Sequence, residues 1–309
     1  MDDEVKKNLI DSAFGKAEQY LPGEIKSLNN PLTGAIAPVY ISGDGIEAIP
    51  ASCFDGYRTQ PDFRDDTATL EDLDSLIAYA NRFKGDQSAM FARRSRSAPS
   101  LTAVIDYHPE GFSSEPAFGN HRGTFQFPLS EDWKAWQGEN GKQMSPVEFA
   151  AFLEDHIISV LSPDHISIAE DDEETQRFFN MMGGASRLAD PAKLLEIASN
   201  LQIHENSSVT QAHSLASGEA AIEFNSEHEA SSKGQTITMP KMFAIGIPVF
   251  ENGAAYRLFA RLRYRKSGPA VVFWYDLWRT DRVFLHAFDE AVAKAVSETS
   301  LPVFLGSDR

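Results

Sequence analysis

The stretch Tyr256-Arg257-Leu258-Phe259-Ala260-Arg261-Leu262-Arg263-Tyr264-Arg265-Lys266 reads with a period of two. Successive side chains of a strand point to opposite faces. Tyr256, Leu258, Ala260, Leu262 and Tyr264 therefore share one side, and Arg257, Phe259, Arg261, Arg263 and Arg265 the other. The first side is a core face. The second is an arginine ladder, which has to find anions in a chain of net charge −17.

Turn signals bracket this strand. Asn252-Gly253 before it predicts a type I′ hairpin turn, and Ser267-Gly268-Pro269 turns the chain after it. Four segments in close order, 219–228, 236–250, 254–266 and 270–279, read as sequential antiparallel neighbours of a β-meander. In the first, Glu219, Glu223 and Glu227 share a face. In the fourth, Val271, Phe273, Tyr275 and Leu277 oppose Val272, Trp274, Asp276 and Trp278. The glutamates are the expected partners of the arginines, since opposite charges across strands contribute about 0.2–1 kcal/mol a pair. A helix over 281–299 and an edge strand in the tail LPVFLGSDR close the chain.

Upstream, residues 3–20 carry an apolar stripe of Val5, Leu9, Ile10, Ala13, Phe14 and Ala17 that predicts a short helix. The stretch through Pro31, Pro38, Pro50 and Pro61 lacks helical period and reads as a strand or two with long connections, a candidate oligomer arm. Thr69 is the expected cap of a helix that buries Leu70, Leu73, Ile77 and Ala80. Residues 88–94, 101–108 and 121–129 read as strands. Ser130 caps a short helix, Ser145-Pro146-Val147-Glu148 opens another with a capping box, and Asp190-Pro191 opens a third. The five acids from Glu170 to Glu174 suit the start of a further helix.

The expected fold class is α+β, a mostly antiparallel sheet with a C-terminal four-strand β-meander and flanking helices. The expected divisions are 1–68, an extended N-terminal region with a short helix; 69–200, an αβ half; and 201–309, the β-meander half with the C-terminal helix. The last two form either two domains or one, from 69 to 309.

Composition excludes several classes. No apolar run approaches the roughly 18 residues that span a bilayer, so no membrane partner is expected. The charged start MDDEVKKNLIDSAF lacks a signal-peptide core, and Cys53, the single cysteine, rules out an internal disulfide; both predict a cytoplasmic setting. A pI near 4.9 argues against bulk attraction to nucleic acid. Charge is uneven, however. Residues 241–279 hold seven basic side chains against two acidic ones, a balance of +5, which leaves −22 for the rest.

Motifs with a built-in mechanism are missing. There is no GxxxxGK[ST], GxGxxG, HExxH, paired CxxC or GxSxG. Cys53 reads as a small buried thiol. Asp106 and His108 share one side of a strand end, and His121 begins the next strand, so the three are the candidate catalytic residues of a metal-assisted phosphoesterase. Beside them stand the candidate nucleic-acid or anion-binding residues Arg257, Phe259, Arg261, Arg263 and Arg265. Guanidinium forks with the rings of Phe259, Trp274 and Trp278 are the parts of a single-strand platform. No metal or other cofactor is expected.

An ordered series of segments then supports a resemblance: His121-Arg122-Gly123, LSEDWKAWQ, MSPVEFAAFLEDHI, DPAKLLEIASNL, SGEAAIEF, MFAIGIPVFENG, YRLFARLRYRK and VVFWYDLWR. Over roughly residues 70–285 the chain resembles the prophage-encoded YfdQ-like family, a domain of unknown function. The resemblance implies a bacteriophage or prophage origin, the cytoplasm of an infected or lysogenic bacterium, and a place among DNA-metabolism functions. It carries over no catalytic residue. The expected function is a non-catalytic accessory protein that binds single-stranded nucleic acid or a phage or host DNA-processing protein and forms a homo-oligomer. The alternatives are an acidic decoy or inhibitor of a host DNA-binding or defence protein, and the phosphoesterase.

Overall fold

A computed structural model describes residues 23–29, 36–50, 59–61, 64–111, 115–169, 172–203, 208–214, 220–225, 235–267 and 270–308. The chain divides into two compact units, Met1–Arg64 and Asp65–Arg309. In the first, β1 (Glu24–Asn29), β2 (Ile36–Ser42) and β3 (Gly45–Ala48) form an antiparallel sheet in that order. The predicted helix at 3–20 and Cys53 lie outside the described residues.

The second unit opens with β4 (Thr67–Leu70) and α1 (Leu73–Phe83). Thr69 is therefore a strand residue and not a cap. Its β-branched neighbourhood pairs in parallel with β7 (Arg122–Gln126), and Asp72 caps the helix instead, accepting from the Ser75 N–H at 2.6 Å. The sheet runs β15 (Val303–Leu305), β5 (Ala89–Arg93), β6 (Ser100–Val104), β7, β4. Its inner pairs are antiparallel and both edge pairs parallel.

Four helices follow: α2 (Glu131–Gly138), α3 (Pro146–Asp155), α4 (Glu173–Met181) and α5 (Pro191–Ile203). The caps of α2, α3 and α5 are the predicted ones. Ser130 accepts from the Trp133 N–H at 3.0 Å, Ser145 and Glu148 close a reciprocal capping box, and Asp190 accepts from the Lys193 N–H at 2.6 Å. At α4 the cap is Asp172, which takes the N–H groups of Glu174 and Thr175.

The fold is α+β with a C-terminal, mostly antiparallel four-stranded sheet. Its membership differs from the simple meander. Pro240, which has no N–H to donate, and Lys241 break the segment 236–250 into β11 (Gln235–Met239) and β12 (Met242–Pro248). The first piece joins β9 (Ser208–Ser214) and β10 (Ala220–Asn225) in a separate sheet ordered β11-β10-β9. The second heads the sheet β14 (Ala270–Leu277), β13 (Ala255–Ser267), β12 and a parallel fourth strand, β8 (Leu188–Ala189).

The β12–β13 hairpin is wider than a two-residue turn. Pro248 pairs with Ala255, and the Gly253 N–H donates to the Phe250 carbonyl at 3.0 Å. Asn252 takes a left-handed φ of 58° and Gly253 takes no positive φ, so the turn is not type I′. The cause is competition for partners. Val249 and Phe250 leave β13 to pair with 128–130, through Ser130 N–H to the Val249 carbonyl and Glu251 N–H to the Pro128 carbonyl.

One core runs through the second unit. Trp136, Phe149, Phe243, Phe273, Tyr275 and Phe288 are fully buried in it, joining α2, α3 and the last helix, α6 (Thr280–Thr299), to the inner face of β12–β14. Tyr275 donates its hydroxyl to the Trp136 carbonyl at 2.7 Å, so the aromatic centre keeps that polar group satisfied. The outer face of the same sheet is covered as well. Met242, Ala244 and Phe259 pack there with Leu188 and with Phe178 and Phe179 of α4.

Candidate anion-binding site

The arginine ladder lies on that outer face, and each of its four arginines has a partner there. Arg257 donates to the Ser167 carbonyl at 2.6 Å. Arg261 covers the Phe178 ring, 5.7 Å from its centroid, and reaches the Met182 sulfur at 3.7 Å. Arg263 pairs with Asp276 on the neighbouring strand at 2.6 Å, and Arg265 donates to Gln143 at 2.8 Å. Phe259 is 3% exposed in the second cluster, so its ring is a core group and not a stacking surface.

Of the expected glutamates, Glu223 does not share this sheet. Strand β10, which holds Glu223, pairs with β9 and β11 instead, with Glu223 opposite Gln211 and Thr236. Glu219 and Glu227 lie outside the described residues. The reason is the break at Pro240: β11 stays with the glutamate strand in a separate sheet, and only β12 continues beside the ladder.

At the Arg257 end the ladder opens into a cleft of about 500 Å³. Arg257, Arg279, Arg282 and His286 line it together with Tyr256, Trp278 and Asp172. Strand β13 supplies Arg257. The turn from β14 into α6 supplies Arg279, and the first turns of α6 supply Arg282 and His286, which share a face at i, i+4 spacing. Arg279 is held at φ 52°, ψ 41°, in the left-handed region that a residue with a Cβ seldom enters. Its guanidinium lies 5.4 Å from the Trp278 ring centroid, and that ring stacks on Phe178 at 4.0 Å. The buried indole N–H of Trp278 donates to no acceptor among the described residues.

Two carboxylates at the start of α4, its cap Asp172 and Glu174, meet these arginines. Arg279 and Arg282 both end on Glu174, the second at 2.8 Å, and Arg282 also stands 3.6 Å from Asp172. Asp172 is held below the usual aspartate value by the Thr175 hydroxyl and N–H, so it is ionised at neutral pH. On the opposite wall Tyr256 donates to Glu290 at 2.5 Å; burial, then that carboxylate, pushes the phenol well above its ordinary value and keeps it a neutral donor.

Arg279, Arg282, His286, Asp172 and Glu174 were not among the residues that the ladder singled out. A signal for part of the set was present. Arg279, Arg282 and His286 fall at helical spacing where the last strand meets the last helix, next to Trp278.

The catalytic candidates occupy a different region. Asp106 accepts the His121 N–H at 2.8 Å and the Asn120 N–H at 3.2 Å, so both carboxylate oxygens fasten the turn into β7. His108 accepts the Ala117 N–H on Nδ1 at 3.2 Å. His121 is 4% exposed, edge-on to Tyr79 and Phe83, with Nε2 3.6 Å from Asp66. Asp106 and His121 thus meet through the backbone, and their side chains serve different neighbours. Among the described residues no three His, Cys, Asp or Glu side chains form a group suited to a metal ion. No helix among them is long and apolar enough to cross a membrane.

A second cleft, of about 390 Å³, has a floor of Phe125, Phe127 and Phe250. Its rim carries Glu71, Asp72, Asp74, Glu251 and Glu290 against Lys294. Three of these acids have work inside the fold. Asp72 caps α1, Asp74 pairs with Lys294 at 2.5 Å, and Glu290 accepts from Tyr256.

No curated protein and no solved structure matches the chain. Residues 49–307, which include every side chain of both clefts, match the family described as "Uncharacterized conserved protein (DUF2303)". The chain belongs to that uncharacterised conserved family.

Proposed function

We propose that the protein is a non-catalytic binding protein that takes single-stranded nucleic acid at the basic cleft. One observation carries the reading. In an acidic chain, three guanidinium groups and His286 converge with the aromatic walls Tyr256 and Trp278 on one cleft of about 500 Å³. Guanidinium groups suit phosphodiester oxygens, and aromatic walls suit bases of any sequence. The volume falls in the range of sites that hold one small ligand, which fits a nucleotide or two of a strand. The resemblance to the prophage-encoded family adds the setting: a DNA-metabolism accessory of a phage or prophage, working in the bacterial cytoplasm.

The test is a gel-shift titration of single- and double-stranded DNA at low and moderate salt. The expected result is retention of the single strand, weakened by salt, with the slope of log affinity on log salt shallower by about 0.7 for each of Arg257→Gln and Arg282→Gln. Failure to retain single strands at low salt, with the fold intact by circular dichroism, overturns the reading.

The acidic-decoy reading is favoured by a different observation, the aromatic-floored cleft with its carboxylate rim. It predicts that a basic DNA-binding protein binds at low salt and loses that binding in Glu71→Lys/Glu251→Lys. Unchanged binding in that variant removes it.

A further inference from the structure

We infer that Glu174 is a resident stand-in for a phosphate, held in a two-arginine clamp until an incoming phosphodiester displaces it. The inference rests on the nucleic-acid reading of the same cleft. Arg279 and Arg282 each place a terminal guanidinium nitrogen on a different oxygen of the one Glu174 carboxylate. Two cations on the two oxygens of one anion is also the arrangement that recognises the two non-bridging oxygens of a phosphodiester. Arg257, which donates to the Ser167 carbonyl, and His286, which stands 3.3 Å from Glu290, line the same cleft.

Glu174 is placed so that it can leave. Its side chain is 43% exposed on the first turn of α4. The start of α4 does not depend on it, because Asp172 alone accepts the Glu174 and Thr175 N–H groups. Swinging the Glu174 carboxylate into water therefore uncaps nothing. Arg279 is the better-fixed arm of the clamp, its side chain 36% exposed against 49% for Arg282. Arg279 sits at the left-handed junction, over the Trp278 ring that stacks on Phe178, and α6 begins there with no side-chain cap. The positive end of a 20-residue helix thus adds to the two guanidinium groups. Releasing the glutamate frees both guanidinium groups for a phosphate, with Asp172, 3.6 Å from Arg282, the carboxylate that stays beside them.

The competing explanation is a plain tether, in which Glu174 only ties α4 to α6. The two make different predictions for binding. Glu173, the preceding residue, pairs with Arg177 at 3.1 Å outside the clamp, so Glu173→Gln changes net charge equally and serves as control. The probe is a fluorescein-labelled oligothymidylate, read by anisotropy at low salt against the full-length chain. Glu174→Gln is expected to tighten binding by about threefold to tenfold, Glu173→Gln to leave it within twofold or so, and Arg279→Gln/Arg282→Gln added to Glu174→Gln to abolish the gain. If the wild type binds and Glu174→Gln binds no tighter than Glu173→Gln, the stand-in idea is overturned and the nucleic-acid reading survives. If neither the wild type nor Glu174→Gln binds, with helix content unchanged by circular dichroism, both are overturned.

Discussion

Arg263 and Gly123 mark the two extremes of what one residue does here. Arg263 belongs to the feature that dominates the sequence, yet its pair with Asp276 is about two-fifths exposed on each side. Exposed pairs of that kind contribute under about 1 kcal/mol, because water screens them and two long side chains lose freedom. Arg263→Ala is therefore expected to shift the denaturant midpoint only slightly; a loss well beyond that would mean the ladder acts as one network. Gly123 stands in the sequence without any sign of its packing role. A Cβ there would stand 2.7 Å from the Tyr79 ring and 3.2 Å from Leu76, and the ring is wedged against Phe83 and His121. Gly123→Ala is expected to cost about 1–3 kcal/mol in the same unfolding measurement, the range for overpacking. A neutral result would show that α1 can lift off β7 freely.

At the scale of elements, caps are where local sequence and structure agree best. Ser130, Ser145 with Glu148, and Asp190 all act as predicted, since a capping bond spans three residues and needs no distant partner. They also set an acid limit. The Ser75 N–H holds Asp72 below its ordinary value, the Ser145 N–H does so for Glu148, and the Thr175 hydroxyl for Asp172. A carboxylate with a lowered folded-state pKa contributes stability above its unfolded value and loses it as pH falls through the folded one. Melting temperature is therefore expected to hold near neutral pH and to fall below about pH 4, with a smaller acid loss in Asp72→Asn. An acid limb identical in that variant would show that the α1 cap does not contribute to it. Where an element depends on distant partners, prediction from pattern fails. Residues 236–250 alternate well enough for one strand, but Pro240 divides them between two sheets.

For the whole molecule, net charge and covered surfaces matter most. At −17 the folded chain repels itself, and salt screens that repulsion, with a Debye length of about 8 Å at physiological ionic strength. Raising salt from low to physiological levels is expected to raise the melting temperature. A fall would instead assign net weight to pairs such as Arg94–Asp289 at 2.6 Å and Lys294–Asp74 at 2.5 Å. The same scale explains why the ladder is not an open platform. Its sheet carries core on both faces, with Phe178 and Phe179 of α4 closing the outer one.

The α+β class, the caps of α2, α3 and α5, the core face of β13 and the buried Val271, Phe273 and Tyr275 of β14 were all legible in the sequence, because periodicity and capping act over a few residues. Tertiary structure alone decided what meets the arginines. Asp276, Ser167, Gln143 and the aromatic side chains of α4 come to the ladder from separate parts of the chain, through a strand order set by one proline and a pairing with a two-residue β8. Alternation tells which side of a strand a residue occupies. Only the packed sheet decides which strand, helix or anion lies across from it.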